Sequence, residues 1–471
     1  MAITRRDVLG IGGAASAGLA RAQIAAGKRP NFLFLIADDL TYNGVRLLGN
    51  REVETPNLDR VVRSGCTFTH CFHQGSWLGA VCVASRTMLN TGMTAFHARK
   101  NAETAPLWGE TLGNADYQTY ITGKWHLSAT NLARNFQRRG PVSGGMFEST
   151  PDAYDRPRAG NTWTPWDTSL KGQWLHTAEW QQAGTDQVRH SAAIWADEAI
   201  RQLGEAVKRS DPFFLYVGFN SPHDPRQAPL EFIERYPSAR IEVPPNYLSE
   251  HPFDNGDLHG RDERLAPFPR SREAVRVHRA EYYAHITYMD AQIGRILDAL
   301  QASGAASKTY VIITADHGLA VGQHGLMGKQ NLYDHSIRMP LMITGPAIPR
   351  ARRVDHMVYQ HSLFSTTCEL AGVAIPPTVE FPSIAGLAKG RGSPPHDAMF
   401  SYYQDFQRSV RTREHKLIVY PKAEVTQLFD LTHDPWETKN LADEPRHEVL
   451  KRTLLNRLRV LQRELGDEVK V

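Results

Sequence analysis

The sequence predicts an α/β fold: a large, mostly parallel sheet sandwiched by helices, followed by a smaller C-terminal α+β subdomain of antiparallel sheet. Three observations predict it. Apolar runs at residues 31–37, 213–219 and 309–314 are too continuously hydrophobic to show one face to water, which marks strands buried in a parallel sheet. Segments with apolar residues three or four apart alternate with these runs, as covering helices require. Short polar clusters follow the runs directly, at the carboxyl edge where open α/β sheets bind ligands.

Along the chain, the first run ends in Asp38-Asp39, and adjacent carboxylates at a strand end are explained by a cation. Residues 55–65 read as a helix packing back on that strand, with Thr55 as N-cap, Pro56 at the first helical position and Gly65 as the stop. A strand near 66–72 leads through 75–80 into Cys82-Val83-Ala84-Ser85-Arg86, a loop entering a helix. A β-like run at 117–122 delivers Lys124-Trp125-His126. Residues 190–209 read as a helix, and the run at 213–219 ends in Ser221-Pro222-His223. A long helix carries Ile286, Met289, Ile293, Ile296 and Leu300 on one face and stops at Gly304. The run at 309–314 ends in Asp316-His317, and 340–344 reads as a fifth strand. A Pro/Gly-rich passage at 375–395 divides a catalytic domain, 23–385, from a C-terminal subdomain, 386–471, with short strands at 409–412, 416–420 and 428–431 and a helix at 449–465.

Charged residues at 22 % and a net charge of +4 leave no basic arm, which argues against a nucleic acid partner. Residues 1–22, with Arg5-Arg6 before a Gly/Ala-rich stretch, read as a twin-arginine signal. That stretch is too short for stable membrane insertion, so the expectation is a periplasmic protein exported by the twin-arginine translocase. The four cysteines, Cys66, Cys71, Cys82 and Cys368, form no disulfide framework. Cys66 and Cys71 are expected on opposite faces of one strand, unbridged.

The stretch Cys82–Arg86, followed by Thr91-Gly92, resembles the signature of the type I sulfatases, the formylglycine-dependent branch of the alkaline phosphatase superfamily. Ala84 stands where proline is usual in Cys-x-Pro-Ser-Arg. The resemblance covers nearly the whole mature chain. It extends to Asp38 and Asp39, Lys124-x-His126, His223, Asp316-His317, Lys329, and Asp434-Pro435 in the C-terminal part. It implies an alkaline phosphatase-like fold, hydrolysis of a sulfate ester, and oxidation of Cys82 to formylglycine by a formylglycine-generating enzyme. A gem-diol can expel the sulfated half-product by collapsing to an aldehyde, which a serine nucleophile cannot do.

By the same resemblance, Asp38, Asp39, Asp316, His317 and residue 82 hold one divalent cation. Mainly oxygen ligands point to calcium. Arg86, one helical turn from Cys82, braces the nucleophile and carboxylates, and Lys124 and Lys329 meet sulfate oxygens. His126 contacts the formylglycine hydroxyl, and His223, with Lys329, faces the leaving oxygen as general acid. Singly, each residue has a plainer reading: a capping carboxylate, a satisfied core histidine, a solvated lysine, a buried thiol. A phosphonate monoester or phosphodiester hydrolase would use the same constellation, and an inactive carbohydrate-binding relative is the alternative from another class.

Between 135 and 187 the chain leaves strand-helix alternation for an insertion holding Trp163, Trp166, Trp174 and Trp180, four of the nine tryptophans. Aromatic faces beside Arg156, Arg158, Lys171 and His176 suit a sulfated sugar with further anionic groups, ahead of choline sulfate or an aryl sulfate. A local core under a long loop is the competing reading. Trp77 and Trp125 read as packing.

Overall fold

Strand β1 (Asn31–Asp38) is buried along its whole length because both faces are covered. Phe32, Phe34 and Ile36 enter one core with Trp108, Trp125 and Phe364, while Leu33, Leu35 and Ala37 enter another with Trp195, Ile286 and Met289. Successive strand side chains point to opposite faces, so a run that is apolar at every position needs two cores. The computed structural model describes residues 29–145, 154–157, 189–224 and 226–471. The twin-arginine segment, the four insertion tryptophans, Arg158, Lys171 and His176 lie outside them.

The other strands before the C-terminal part are β2 (Cys66–Phe72), β3 (Gly75–Ser76), β4 (Gln118–Lys124), β5 (Arg138–Ser143), β6 (Phe213–Pro222), β7 (Thr309–Ala315), β8 (Arg338–Thr344) and β9 (Arg352–Tyr359). Eight of these strands form one sheet in the order β5-β4-β6-β1-β7-β8-β2-β9. Only β8 runs antiparallel to its neighbours, β7 and β2. Helices Ser191–Ala206 and Arg272–Ala302 cover one face, and Trp108–Gly113 and Ser362–Ala371 the other.

Three local expectations are corrected. Helix Pro56–Ser64 packs on the long helix Arg272–Ala302 rather than back on β1, and its first N–H groups are capped across space by Asp290, which accepts from Asn57 N (3.0 Å) and Leu58 N (2.7 Å). Thr55 does not cap; its hydroxyl donates to Asp59 Oδ1 (3.1 Å). Cys66 and Cys71 share one core, because a bulge between Phe68 and Cys71 shifts the alternation by a residue, and both are free thiols. Within the 135–187 passage, β5 adds an edge strand beside β4.

Strands β10 (Met399–Tyr403), β11 (Gln407–Arg411), β12 (His415–Tyr420) and β13 (Val425–Asp430) form the second sheet, in the order β13-β12-β11-β10-β3. Its last strand comes from far upstream. Gly75 (φ +99) makes that pairing possible, since a Cβ there would lie 1.7 Å from Tyr402 O. Leu454 and Leu458 of helix Glu448–Leu465 pack on Phe400, Val410, Leu417 and Leu428 together with Ala84 and Met88 of helix Val81–Thr91. Leu89 of that helix turns to the core of the large sheet. The helix is therefore clamped between the two sheets, with Ala84 wholly buried in the joint.

Candidate active site

The strands that deliver the polar clusters are neighbours, so their carboxyl ends meet. β1 ends in Asp38 and Asp39, β4 in Lys124 with His126 beyond it, β6 leads to His223, and β7 to Asp316 and His317. Gly123 lets β4 reach β6 at that edge, since a Cβ would fall 1.9 Å from Gly218 O. Asp39 (φ 70) and His126 (φ 62) take left-handed backbone, an uncommon conformation for either residue, and both turn into the site. The clamped helix supplies Cys82 near its start and Arg86 one turn later. Lys329 arrives on the segment between β7 and β8. The structure thus brings together the residues expected at the site, all buried except His126, which is half-buried.

Cys82 Sγ, which stands where the formylglycine hydroxyl would be, is 3.1 Å from His126 Nδ1. Arg86 Nε donates to Asp316 Oδ2 (2.9 Å), and its Nη1 to Lys124 O (2.7 Å). Lys124 Nζ pairs with Asp38 Oδ2, and Lys329 Nζ with both oxygens of Asp39 (2.9 and 3.1 Å). Burial pushes the Asp316 carboxyl up, but His317, Arg86 and Lys124 together carry it far below the ordinary range. Burial and Asp316 likewise raise Asp38, and Lys124, His223 and Lys329 outweigh them. At Asp39 burial prevails over Lys329, and the carboxyl is held well above its usual value. Burial and then Lys124 hold His126 down at about 3.

A divalent cation fits this donor set. His317 Nδ1 faces two acceptors, Gly318 O (3.0 Å) and Asp39 Oδ1 (3.1 Å), so it carries the ring proton and Nε2 presents a lone pair. That Nε2 has no hydrogen-bond partner among the described residues, yet it lies 3.6 Å from Asp316 Oδ1 and 3.9 Å from Asp38 Oδ1, itself orphaned. A buried lone pair facing two carboxylates is costly unless a cation lies between them. Asp38, Cys82 and His317 form one group with ligand atoms within 4.8 Å of each other, and Asp38, Asp39 and His223 form a second.

Ser85 Oγ donates to Asp316 O (2.6 Å), so the signature serine ties the helix to the end of β7. Other supporting residues carried no sequence signal. Buried Glu263 accepts from Met327 N and Gly328 N (2.8 Å each) and pairs with Arg270, fixing the approach to Lys329. Asp224, Arg261 and Asp262 form a chain of ion pairs beside His223. One expectation is overturned: Arg156 is not free to meet substrate, because its guanidinium is buried in a two-bond pair with Glu281 (2.8 and 2.6 Å). Trp125 packs edge-on to Phe136 and Tyr216, as core.

Residues 30–373 match the family model for Sulfatase. The chain belongs to the type I sulfatase family. Residues 322–464 also match the model for N-sulphoglucosamine sulphohydrolase, C-terminal. A sulfatase of Formosa agariphila is 27% identical over 88% of this chain and 83% of its own length. The choline-sulfatase of Rhizobium meliloti is 27% identical over 90% of this chain and 85% of its own. Among solved structures, a protein in complex with its substrate D-glucosamine-2-N,6-O-disulfate superposes with a TM-score of 0.73 at 20% identity, covering 94% of this chain and 99% of that one. The phosphonate monoester hydrolase of Agrobacterium radiobacter gives 0.73 at 19% identity, over 93% and 96%. This sulfatase therefore has the alkaline phosphatase-like fold and is a sulfuric ester hydrolase. Among its described residues no helix is long and apolar enough to cross a membrane.

Proposed function

We propose that this sulfatase cleaves a sulfate ester of a carbohydrate, with residue 82 as nucleophile after oxidation of Cys82 to formylglycine. The observation that carries the reading is the 3.1 Å approach of Cys82 Sγ to His126 Nδ1 inside a ring of buried charge. His126, held at about 3 by burial and Lys124, is neutral at pH 7 and can accept a proton from a hydroxyl at residue 82. Asp38, Asp39, Asp316, His317 and the modified residue 82 would hold one divalent ion, calcium by its oxygen-rich donors, which would offset sulfate charge. Arg86 keeps Asp316 in place, and Lys124 and Lys329 each bring ammonium protons to the sulfate oxygens. His223 Nδ1 is turned to Asp224 O (2.7 Å), which leaves Nε2 for the leaving oxygen, with Lys329 beside it.

The carbohydrate assignment is supported by the disulfated glucosamine bound to a protein of the same fold and by the tryptophan-rich insertion that follows Lys124 and His126. Export by the twin-arginine translocase, after modification by a formylglycine-generating enzyme, completes the reading, with the periplasm as its site of action. A peptide mass spectrum across residue 82, from a host with that enzyme, tests the nucleophile: thiol alone in fully active protein would refute it. A panel of sulfated mono- and oligosaccharides, choline sulfate and a phosphonate monoester tests the substrate. Turnover of choline sulfate or of the phosphonate far above every sulfated sugar would overturn the carbohydrate assignment.

A further inference from the structure

The ion pairs beside His223 close into a ring. Its Nδ1 faces Asp224 O (2.7 Å) and Asp224 Oδ1 (3.2 Å), two acceptors that fix the proton on that nitrogen and the plane of the imidazole. Arg261 forks onto Asp224, with Nη2 3.1 Å from Oδ1, and pairs with Asp262 as well. Asp262 accepts from Gln330 Nε2 (2.9 Å) and lies 3.8 Å from Lys329 Nζ. Lys329 holds Asp39, whose Oδ2 is 3.8 Å from His223 Nε2, and the circuit ends where it began. His223, Asp224, Asp262 and Lys329 are buried, and the Arg261 side chain alone is partly open, at 27%.

We infer that Asp224, Arg261 and Asp262 are positioning residues that lock His223 and Lys329 into one geometry at the leaving oxygen. The inference rests on the reading of His223 as proton donor to that oxygen. Asp224 and Asp262 are buried carboxylates whose repulsion only a cation between them relieves. Arg261 does so from a planar fork, which sets the angle between the two elements as a point charge cannot. The segment bearing Lys329 and the end of β6 bearing His223 are otherwise separate parts of the chain, and this bridge makes their spacing a single quantity.

A series of substituted phenyl sulfates of graded phenol acidity reads this directly, since a poor leaving group needs the proton and a good one does not. In Asp224→Asn and Arg261→Lys, kcat/KM for phenyl sulfate is expected to fall about 100-fold and for nitrophenyl sulfate about 5-fold, a steeper dependence on leaving-group acidity than in the native enzyme. Lys and Asn keep much of the local bulk, and thermal melts identify any variant that misfolds. A uniform loss along the series in both variants, or no loss, would overturn the positioning role. His223→Ala is the reference. Steepening there but not in the two variants removes the brace alone, whereas no steepening in His223→Ala removes the general-acid reading and the brace with it.

Discussion

The segment between β7 and β8 carries two buried clusters of charge that are built to opposite ends. At the second cluster, Lys416 Nζ donates to Leu332 O (3.1 Å), Asp334 Oδ1 (2.5 Å) and Glu437 Oε1 (2.6 Å), which uses all three of its protons. Arg411 forks onto both oxygens of Asp334 (3.2 and 3.1 Å), and Glu437 Oε2 takes the Asp334 N–H (2.7 Å). Among the described residues none of those side-chain atoms is orphaned. At the first cluster Asp38 Oδ1, Arg86 Nη2 and His317 Nε2 are all buried without a partner. The buried charge cluster that is complete within the protein ties the second sheet to this segment, and the incomplete one leaves buried polar atoms that the proposed cation and sulfate would satisfy.

The largest expected effects fall on the incomplete cluster. Cys82→Ala is expected to cut turnover at least about 10,000-fold, measured as kcat on any turned-over sulfate ester. Its unfolding midpoint should move by only about 2 °C, because the side chain is small and His126 is its one hydrogen-bond partner among the described residues. Stripping divalent ions with a chelator should lower activity by more than about 100-fold, with recovery on adding calcium. Elemental analysis giving two zinc ions per chain, rather than one divalent ion, would undo the comparison by making the site a two-metal phosphatase centre.

The two lysines then separate the clusters. Lys329→Ala should lower kcat/KM about 100-fold, and at saturating calcium it should destabilise the protein less than Lys416→Met does, because the proposed ion would remain to offset the Asp39 carboxylate. Lys416→Met should do the reverse: it strands Asp334 and Glu437 as buried carboxylates, at a cost of about 3–5 kcal/mol in chemical denaturation, while the folded fraction keeps its kcat. If Lys416→Met lowered kcat without destabilising the protein, the two clusters would be one functional unit.

What was legible in the sequence follows the same division. β1, β6 and β7 announce themselves because a strand covered on both faces has no polar position until it ends, and the residues at those ends are the candidate site. β5 (RRGPVS) gives no such signal, since an exposed edge strand tolerates arginine, glycine and proline, and β3 is two residues long. The antiparallel direction of β8 is set by its partners, not by its own apolar residues. The bulge in β2 reversed the expected faces of Cys66 and Cys71 because a single extra residue is invisible in an alternation so short. Asp224 and Arg261 sit in loops, and Asp262 and Glu263 in a single 3-10 turn (Asp262–Leu265) too short to show periodicity, so their convergence depends on contacts between distant segments.

Glu263 lies between the two extremes and sharpens the comparison further. It is buried and fully bonded, like the second cluster, but what it holds is the approach to Lys329, in the first. Burial pushes its carboxyl up to about 7, against the pull of Arg270 and of the Met327 and Gly328 N–H groups. The folded protein therefore binds this proton more tightly than the unfolded chain, whose glutamates titrate near 4.3. The stabilisation is whole below that value and is lost as pH rises toward about 7, by at most about 4 kcal/mol. Urea denaturation at saturating calcium from pH 4.5 to 7.5 should show this decline in the native enzyme. Glu263→Gln, which carries no titrating proton, should flatten it by that amount and lower kcat modestly through a looser Lys329 segment. An unchanged pH slope in Glu263→Gln would mean that the carboxylate is ionised throughout, held by Arg270 as tightly as Asp334 is held by Arg411, and Glu263 would then belong with the structural cluster.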